Sequence, residues 1–271
     1  MVTGTRHRSA DDLTALLDGA RGAAVRAGDA IVALARDGAC ERWSKADESP
    51  LTAADLVAHE IIGTALRELD PDTLVISEES VCTLDALPRR FWLVDPLDGT
   101  REFLAGNGEY TVNIALVEDG VPVLGVVHAP ARGATYAAAR GSGATCSDTR
   151  GTQTIRANAN GPLVVVASRS HPSPSLAEFL AQLPPHAVVE LGSSLKLCLV
   201  AGGTAQIYPR LGPTSWWDTA AAHAVALEAG AHVSRLDGAP LRYDGRGMLN
   251  PSFVCSALPY AAWAAAARAI A

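Results

Sequence analysis

Cysteine is scarce in this chain of 271 residues, and it carries no pattern. The five thiols (Cys40, Cys82, Cys146, Cys198, Cys255) are odd in number and none stands at CxxC spacing. That excludes a disulfide framework and a thiolate zinc site, and fits reduced, mostly buried thiols of a cytoplasmic protein. Long apolar runs are missing too. The stretch from Met1 to Arg8 has no apolar signal core, and no segment is long enough to span a bilayer, so neither leader nor anchor is expected. Basic residues are outnumbered: 22 Lys and Arg face 29 Asp and Glu, a formal charge of −7. This balance argues against a nucleic-acid polymer or an anionic membrane as main partner. It leaves room for a small phosphorylated substrate, provided metal ions reverse the local field. No internal repeat is visible.

Apolar residues are abundant, at 48% of the chain, so a large core is available and global disorder is excluded. The length favours two lobes sharing one core, 1–150 and 151–271. Ser9 and Asp12 make a capping-box match ahead of Leu13, Leu16, Leu17, Ala20, Ala24, Ala27, Ile31 and Leu34, which predicts a first helix. A second helix is expected from about Pro50, with Ala54, Val57, Ile61, Ala65 and Leu69 on one face. Strands follow at 74–77, 91–94, 111–117 and 121–129, the last two joined by the hairpin dipeptide Asp119-Gly120, with an edge strand from Gly133 to Ala139. Residues 140–161, rich in Gly, Ser, Thr and Asn, read as a loop or lobe boundary. Buried strands at 163–168, 187–191 and 205–208 then alternate with helices near 174–183, 193–201 and 217–229. The pattern is an antiparallel-rich lobe followed by an α/β lobe.

The chemistry concentrates in Asp95-Pro96-Leu97-Asp98-Gly99-Thr100, placed after the apolar run Phe91–Val94. Proline should end the ladder there and glycine should permit a tight turn. Carboxylates at the end of a buried strand are costly unless a cation meets them, and hard divalent ions, Mg²⁺ above all, take such oxygens. Leu74–Ser77 followed by Glu78-Glu79 repeats the design. If both strand ends open on one sheet edge, four carboxylates converge. Two of them 4 Å apart at an effective dielectric of 20 repel by about 4 kcal/mol. Such groups would protonate or splay apart without counter-ions, and bound divalent cations are the simplest remedy. The plainer alternative makes Glu78 and Glu79 solvated loop residues and Asp98-Gly99 a turn. In the second lobe, Asp218 opens an alanine-rich helix after Trp216-Trp217, where either a helix cap or a metal ligand would suit.

Taken together, Glu78-Glu79, the Asp95–Thr100 run with Phe103 beyond it, and Trp217-Asp218 resemble the three signatures of the inositol-monophosphatase-like, Mg²⁺-dependent, lithium-sensitive phosphatases, in order along nearly the whole chain. Within that superfamily, Lys45–Asp55, Asn107–Leu116 and Gly192–Ala201 are similar to the 3′(2′),5′-bisphosphate nucleotidases of CysQ type. The resemblance implies an α/β fold, the layered αβαβα sandwich of two lobes. It implies a first metal on Glu78, Asp95 and the Leu97 carbonyl, a second on Asp95, Asp98 and Asp218, and a weaker third linked to Glu79. Thr100 with Asp55 would orient and deprotonate the attacking water, Glu78 assisting, although Thr52–Asp55 is also a capping-box match. Gly99 and Thr100 would meet the phosphate through backbone N–H groups.

The implied reaction removes the 3′-phosphate of adenosine 3′,5′-bisphosphate, or of its 5′-phosphosulfate analogue, in sulfate assimilation. Inositol 1-phosphate and fructose 1,6-bisphosphate are the alternatives. A second phosphate needs a basic site, for which Lys196 beside Ser193 and Ser194 is the first candidate; Arg169 and His171 after Ser168, and Arg210, follow. Tyr208, Trp216 and Trp217 are either adenine walls or core residues. Asp218 also faces the expected substrate. A haloacid-dehalogenase-like phosphatase is disfavoured because two residues, not one, separate Asp95 from Asp98. A non-catalytic phosphometabolite sensor is the remaining class. The resemblance implies a homodimer or a monomer.

Overall fold

The computed structural model of the protein describes residues 10–37, 42–44, 50–80, 86–170, 173–245 and 247–270. Ser9, Cys40, Lys45, Cys82 and His171 lie outside the described residues. Two helices come first, α1 (Ala10–Asp37) and α2 (Ala53–Leu69), with the short ribbon of β1 (Arg42–Ser44) and β2 (Pro50–Thr52) between them. A seven-stranded sheet follows in sequence order: β3 (Leu74–Ser77), β4 (Arg90–Asp98), β5 (Thr111–Glu118), β6 (Val121–Ala129), β7 (Ala134–Ala139), β8 (Gly143–Asp148) and β9 (Gly151–Ile155). Only the β3–β4 pair is parallel. A six-residue helix, α3 (Thr100–Ala105), interrupts the passage from β4 to β5.

The second sheet is built from β10 (Leu163–Ser168), β11 (His186–Leu191), β12 (Ile207–Arg210), β14 (His232–Arg235) and β16 (Phe253–Ser256), in spatial order β11-β10-β12-β16-β14. Its helices are α4 (Ser175–Ala181), α5 (Leu195–Ala201), α6 (Ala220–Glu228) and α7 (Ala264–Ala269). A two-stranded ribbon of β13 (Thr214–Ser215) and β15 (Leu249–Asn250) stands apart from both sheets.

Five layers result. Helices α1 and α2 cover one face of the large sheet, α5 and α6 fill the space between the sheets, and α4 with α7 close the outer face of the small one. The large sheet is therefore buried on both faces, which is why its strands read as unbroken apolar runs. In β4, Trp92 and Val94 face α1 and α2, whereas Phe91 and Leu93 face the middle layer. This is the αβαβα sandwich expected of the resemblance.

Three local expectations are corrected. Within 140–161, expected as loop, Gly143–Asp148 and Gly151–Ile155 are strand, leaving turns at 140–142 and 149–150 and an irregular stretch at 156–161: the polar β8 and β9 pair antiparallel through Asp148↔Gly151 and continue the first sheet. Alternating polar residues suit an outer strand that is wet on both faces, and composition cannot separate that from a loop. As a consequence β7 is internal and not an edge. Strand β11 is the edge of the second sheet, with Val188 and Val189 exposed and not buried.

Candidate active site

The parallel pairing of β3 with β4 explains how distant acidic residues meet. Ser77 stands opposite Val94, so Glu78 emerges beside Asp95 at the same sheet edge. Strand β4 does not stop at Pro96, as a simple proline break would have it, but continues to Asp98 through a bulge. Asp95 opposes Asn113 and Asp98 opposes Thr111, so one extra residue is accommodated on β4. Bulges re-aim side chains next to active sites, and this one turns both aspartates toward the same cleft. Asp95 is buried, and its Oδ1 accepts the Leu97 N–H at 3.0 Å. Gly99 then takes φ +90°, a backbone state that an L side chain strains to reach, and α3 begins at Thr100.

Carboxylate oxygens of Glu78, Asp95 and Asp218 all lie within 4.8 Å of one another. Asp218 does not cap α6. Thr219 holds the cap position without a side-chain bond, and Asp218 Oδ2 accepts the Ser215 N–H at 2.9 Å. Burial, then the charges of Asp98 and Glu78, push the Asp218 carboxyl well above its ordinary range. Asp98 sits beside this trio. Burial raises its carboxyl, while Lys196 and the N–H of Ser194, at 2.5 Å, oppose the shift. Asn113 Nδ2 and Thr111 Oγ1 also approach Asp98 Oδ2, at 3.3 and 3.4 Å. With Asp98 and Asp218 both raised, chiefly by burial, these converging carboxylates are a donor set that fits hard divalent cations.

Asp55 serves two purposes at once. Its Oδ2 closes the capping box of α2, accepting from Thr52 N at 2.7 Å and Thr52 Oγ1 at 2.6 Å. Its Oδ1 faces Thr100 Oγ1 at 3.3 Å, and that hydroxyl also reaches the Leu97 carbonyl at 3.2 Å. One carboxylate thus caps the helix with one oxygen and meets Thr100 with the other, so capping does not prevent Asp55 from also serving Thr100.

The cleft has a volume of about 400 Å³ and is lined by Glu78, Asp95, Asp98 and Asp218, by Leu97, Gly99 and Thr100, and by Ser168, Ser193, Ser194, Lys196 and Arg210 among others. Lys196 Nζ donates to the Ser193 carbonyl at 2.5 Å and lies 5.6 Å from the centre of the Tyr208 ring. Burial brings its ammonium down to about 8, against the attraction of Asp98, and Arg210 adds to the lowering. Arg210 is buried; its Nη2 donates to the Pro213 carbonyl, while its Nε has no hydrogen-bond partner among the described residues. Glu79 and Arg169 do not line the cleft. Trp216 is core, stacked near Phe91 and edge-on to Tyr243, whereas Trp217 is half-buried on the cleft wall.

Sequence reasoning assigned no role to Thr111, Asn113, Glu102 or Glu109. The first two lie on one face of β5 at the strand period of two, a signal that could have paired them with the Asp98 end of β4. Glu102 is buried on the cleft wall, where it accepts from Ser170 Oγ.

A model of the inositol monophosphatase family matches residues 12–271. The chain belongs to the inositol monophosphatase family. It is 51% identical over 232 residues to the 3′(2′),5′-bisphosphate nucleotidase CysQ of Escherichia coli K12, covering 84% of this chain and 94% of that one, and 52% identical over the same length to its Salmonella typhimurium counterpart. Its fold superposes on the crystal structure of CysQ from Bacteroides thetaiotaomicron, a bacterial member of the same family, with a TM-score of 0.80 and 37% identity over 90% of this chain and 97% of the other. Members of this family are metal-dependent phosphatases, and Glu78, Asp95 and Asp218 form a cluster that could hold a metal ion. Among the described residues no helix is long and apolar enough to cross a membrane.

Proposed function

We propose that this chain is a Mg²⁺-dependent 3′(2′),5′-bisphosphate nucleotidase that releases the 3′-phosphate of adenosine 3′,5′-bisphosphate to give AMP, in the setting of sulfate assimilation. One observation carries the substrate choice. A single cleft is lined both by an acidic cluster and by two buried cations, Lys196 and Arg210. A monophosphate needs only the first; a bisphosphate needs both.

Glu78, Asp95, the Leu97 carbonyl, Asp98 and Asp218 would hold two Mg²⁺ ions, with Glu79 linked to a third. When bound, these ions supply Lewis acidity toward the attacking water and the departing oxygen. The protein's own groups do the rest. Thr100 Oγ1, held between Asp55 and the Leu97 carbonyl, orients the water, and Asp55 receives its proton through the threonine, with Glu78 at the metal end of the same path. Backbone N–H groups of Gly99 and Thr100 face the transferred phosphoryl oxygens. Lys196 and Arg210 grip the phosphate that stays, which fixes the reacting one in line. No covalent phosphoenzyme is needed.

The test is phosphate release from adenosine 3′,5′-bisphosphate, fructose 1,6-bisphosphate and inositol 1-phosphate in Mg²⁺, compared as kcat/KM. The nucleotide should lead, and millimolar Li⁺ should inhibit. A lead for inositol 1-phosphate would overturn the substrate. Tight binding of the nucleotide with no phosphate released would overturn catalysis in favour of a sensor.

A further inference from the structure

Arg169, just after β10, does not line the cleft but makes a bidentate pair with Glu109. Arg169 Nε and Nη2 donate to Glu109 Oε2 and Oε1, both at 3.0 Å, and Nη2 also reaches the Glu190 carbonyl at 2.9 Å. The same Glu109 Oε2 accepts the N–H of Gly192 at 2.8 Å. Burial alone would raise the Glu109 carboxyl, but Arg169 and the Gly192 N–H outweigh it and hold the group below its ordinary range. Glu109 is thus ionised throughout the neutral range.

Beyond Gly192 the chain does something unusual. Ser193 has φ +49°, one of three non-glycine residues at positive φ among those described. Such a backbone state costs on the order of 1 kcal/mol or more, and persists only where the surroundings over-determine it. Here the N–H on each side of Ser193 is held by a carboxylate: Gly192 by Glu109, and Ser194 by Asp98 at 2.5 Å. The carbonyl of Ser193 in turn receives the Lys196 ammonium. A left-handed residue gripped at both ends presents the acceptor that aims the lysine.

We propose that Glu109 and Arg169 are a positioning pair for the second phosphate: they hold Ser193 in its left-handed state and so set the reach of Lys196, and Arg169 does not itself contact substrate. The proposal rests on the bisphosphate reading of the cleft. It also places Glu109 and Asp98 as the two ends of one device, so the acidic cluster and the lysine are joined through a single tripeptide.

Four variants test it: Glu109→Ala, Arg169→Ala, the double variant, and Glu109→Gln, which keeps an acceptor for Gly192. Each single alanine variant should raise KM for adenosine 3′,5′-bisphosphate about tenfold, the scale of one charge-assisted hydrogen bond, with kcat nearly unchanged. Turnover of adenosine 3′-monophosphate, which has no second phosphate, should change by less than about twofold, within the scatter of a lost surface contact. The double variant should be no worse than the worse single one, because both break the same unit, and Glu109→Gln should recover part of the loss. If Glu109→Ala does not fold, Glu109→Gln and Arg169→Ala carry the comparison. A loss confined to Arg169→Ala would mean that Arg169 grips the phosphate directly and would overturn the proposal. Equal losses on both substrates would do the same. Hydrogen exchange of the 192–196 segment in the substrate-free protein gives a readout independent of the reaction: it should rise in both alanine variants, and unchanged protection would refute the latch. A wild-type enzyme with no preference for the bisphosphate would instead remove the functional reading, leaving the exchange result to decide the latch alone.

Discussion

Replacing Lys196 by methionine removes a positive charge while nearly keeping the volume of the side chain. Lys196 is one of two lysines in the chain and is buried on the cleft wall, with its ammonium lowered to about 8 chiefly by burial. At pH 7 that group is still charged by about ten to one. A unit charge 4 Å from another at an effective dielectric of 20 is worth about 4 kcal/mol, an upper figure because water solvates the free phosphate. Hydrogen bonds to charged groups measure about 1.5–3 kcal/mol net, so about 2 kcal/mol, or about 30-fold in kcat/KM, is the expected loss on adenosine 3′,5′-bisphosphate. On adenosine 3′-monophosphate the loss should stay below about threefold, since the Lys196 contact to the second phosphate is missing from the start. The assay is initial-rate phosphate release on both substrates at saturating Mg²⁺. A pH series adds a second check. Because the folded lysine titrates below its ordinary value, the wild-type advantage on the bisphosphate should shrink as pH rises through about 8, while the methionine variant shows no such fall. Equal losses on the two substrates, or a bisphosphate preference that survives above pH 9 undiminished, would show that Lys196 does not hold the second phosphate.

Other outcomes follow from the same geometry. Asp95→Asn keeps the Leu97 N–H acceptor but removes the anion central to the cluster; kcat/KM should drop at least about a hundredfold, the scale of one preorganised electrostatic element, with the far-ultraviolet spectrum unchanged. Retained turnover would remove Asp95 from the metal set. Gly125→Ala should destabilise the protein by about 2 kcal/mol, because its Cβ would fall 2.1 Å from the Ala221 carbonyl where α6 crosses β6, and urea unfolding would measure it. His223 is buried against the Tyr243 hydroxyl, and burial lowers its pKa to about 3. Between pH 6.5 and 3 the unfolded chain therefore binds a proton at this residue that the folded chain does not. Its contribution to stability should fall by up to about 1.4 kcal/mol per pH unit on acidification, and the wild-type minus His223→Gln difference in unfolding free energy should reveal it.

The layered fold was legible because its strands are buried on both faces and its first two helices carry long apolar stripes; the periodicities of Leu13–Leu34 and Leu74–Ser77 needed no tertiary information. The acidic cluster was legible for a related reason. A carboxylate at the end of an apolar strand has so few acceptable environments that its residue type nearly names its partner. What escaped was everything whose meaning depends on a long-range register. Thr111 and Asn113 look like ordinary strand residues until the β4 bulge sets Asp98 opposite them. Glu109 and Arg169 are 60 positions apart, and nothing local distinguishes a paired arginine from a phosphate-binding one. The polar strands β8 and β9 were hidden because a wet outer strand and a loop share a composition. Asp55 could be read twice, as a cap or as the partner of Thr100, and only the distances from its two oxygens show that one carboxylate makes both contacts.

The position of Asp98 has a consequence for specificity. One of its oxygens is already engaged by Ser194 N–H, Asn113 and Thr111, so this carboxylate is anchored to the start of α5 before any ion arrives. A cation drawn to Asp98 therefore binds to a group whose location is tied, through Ser194 and Ser193, to the ammonium of Lys196. On the proposed assignment of Lys196 to the retained phosphate, the spacing between the two phosphates would be set by this tripeptide, not by two independently mobile side chains. A rigid spacing rewards ligands whose two phosphates match it and gives little to those whose phosphates are nearer or absent. Discrimination among bisphosphates should accordingly follow phosphate-to-phosphate distance more closely than the identity of the scaffold between them. Loosening Ser193 should flatten that dependence before it lowers the rate of hydrolysis itself.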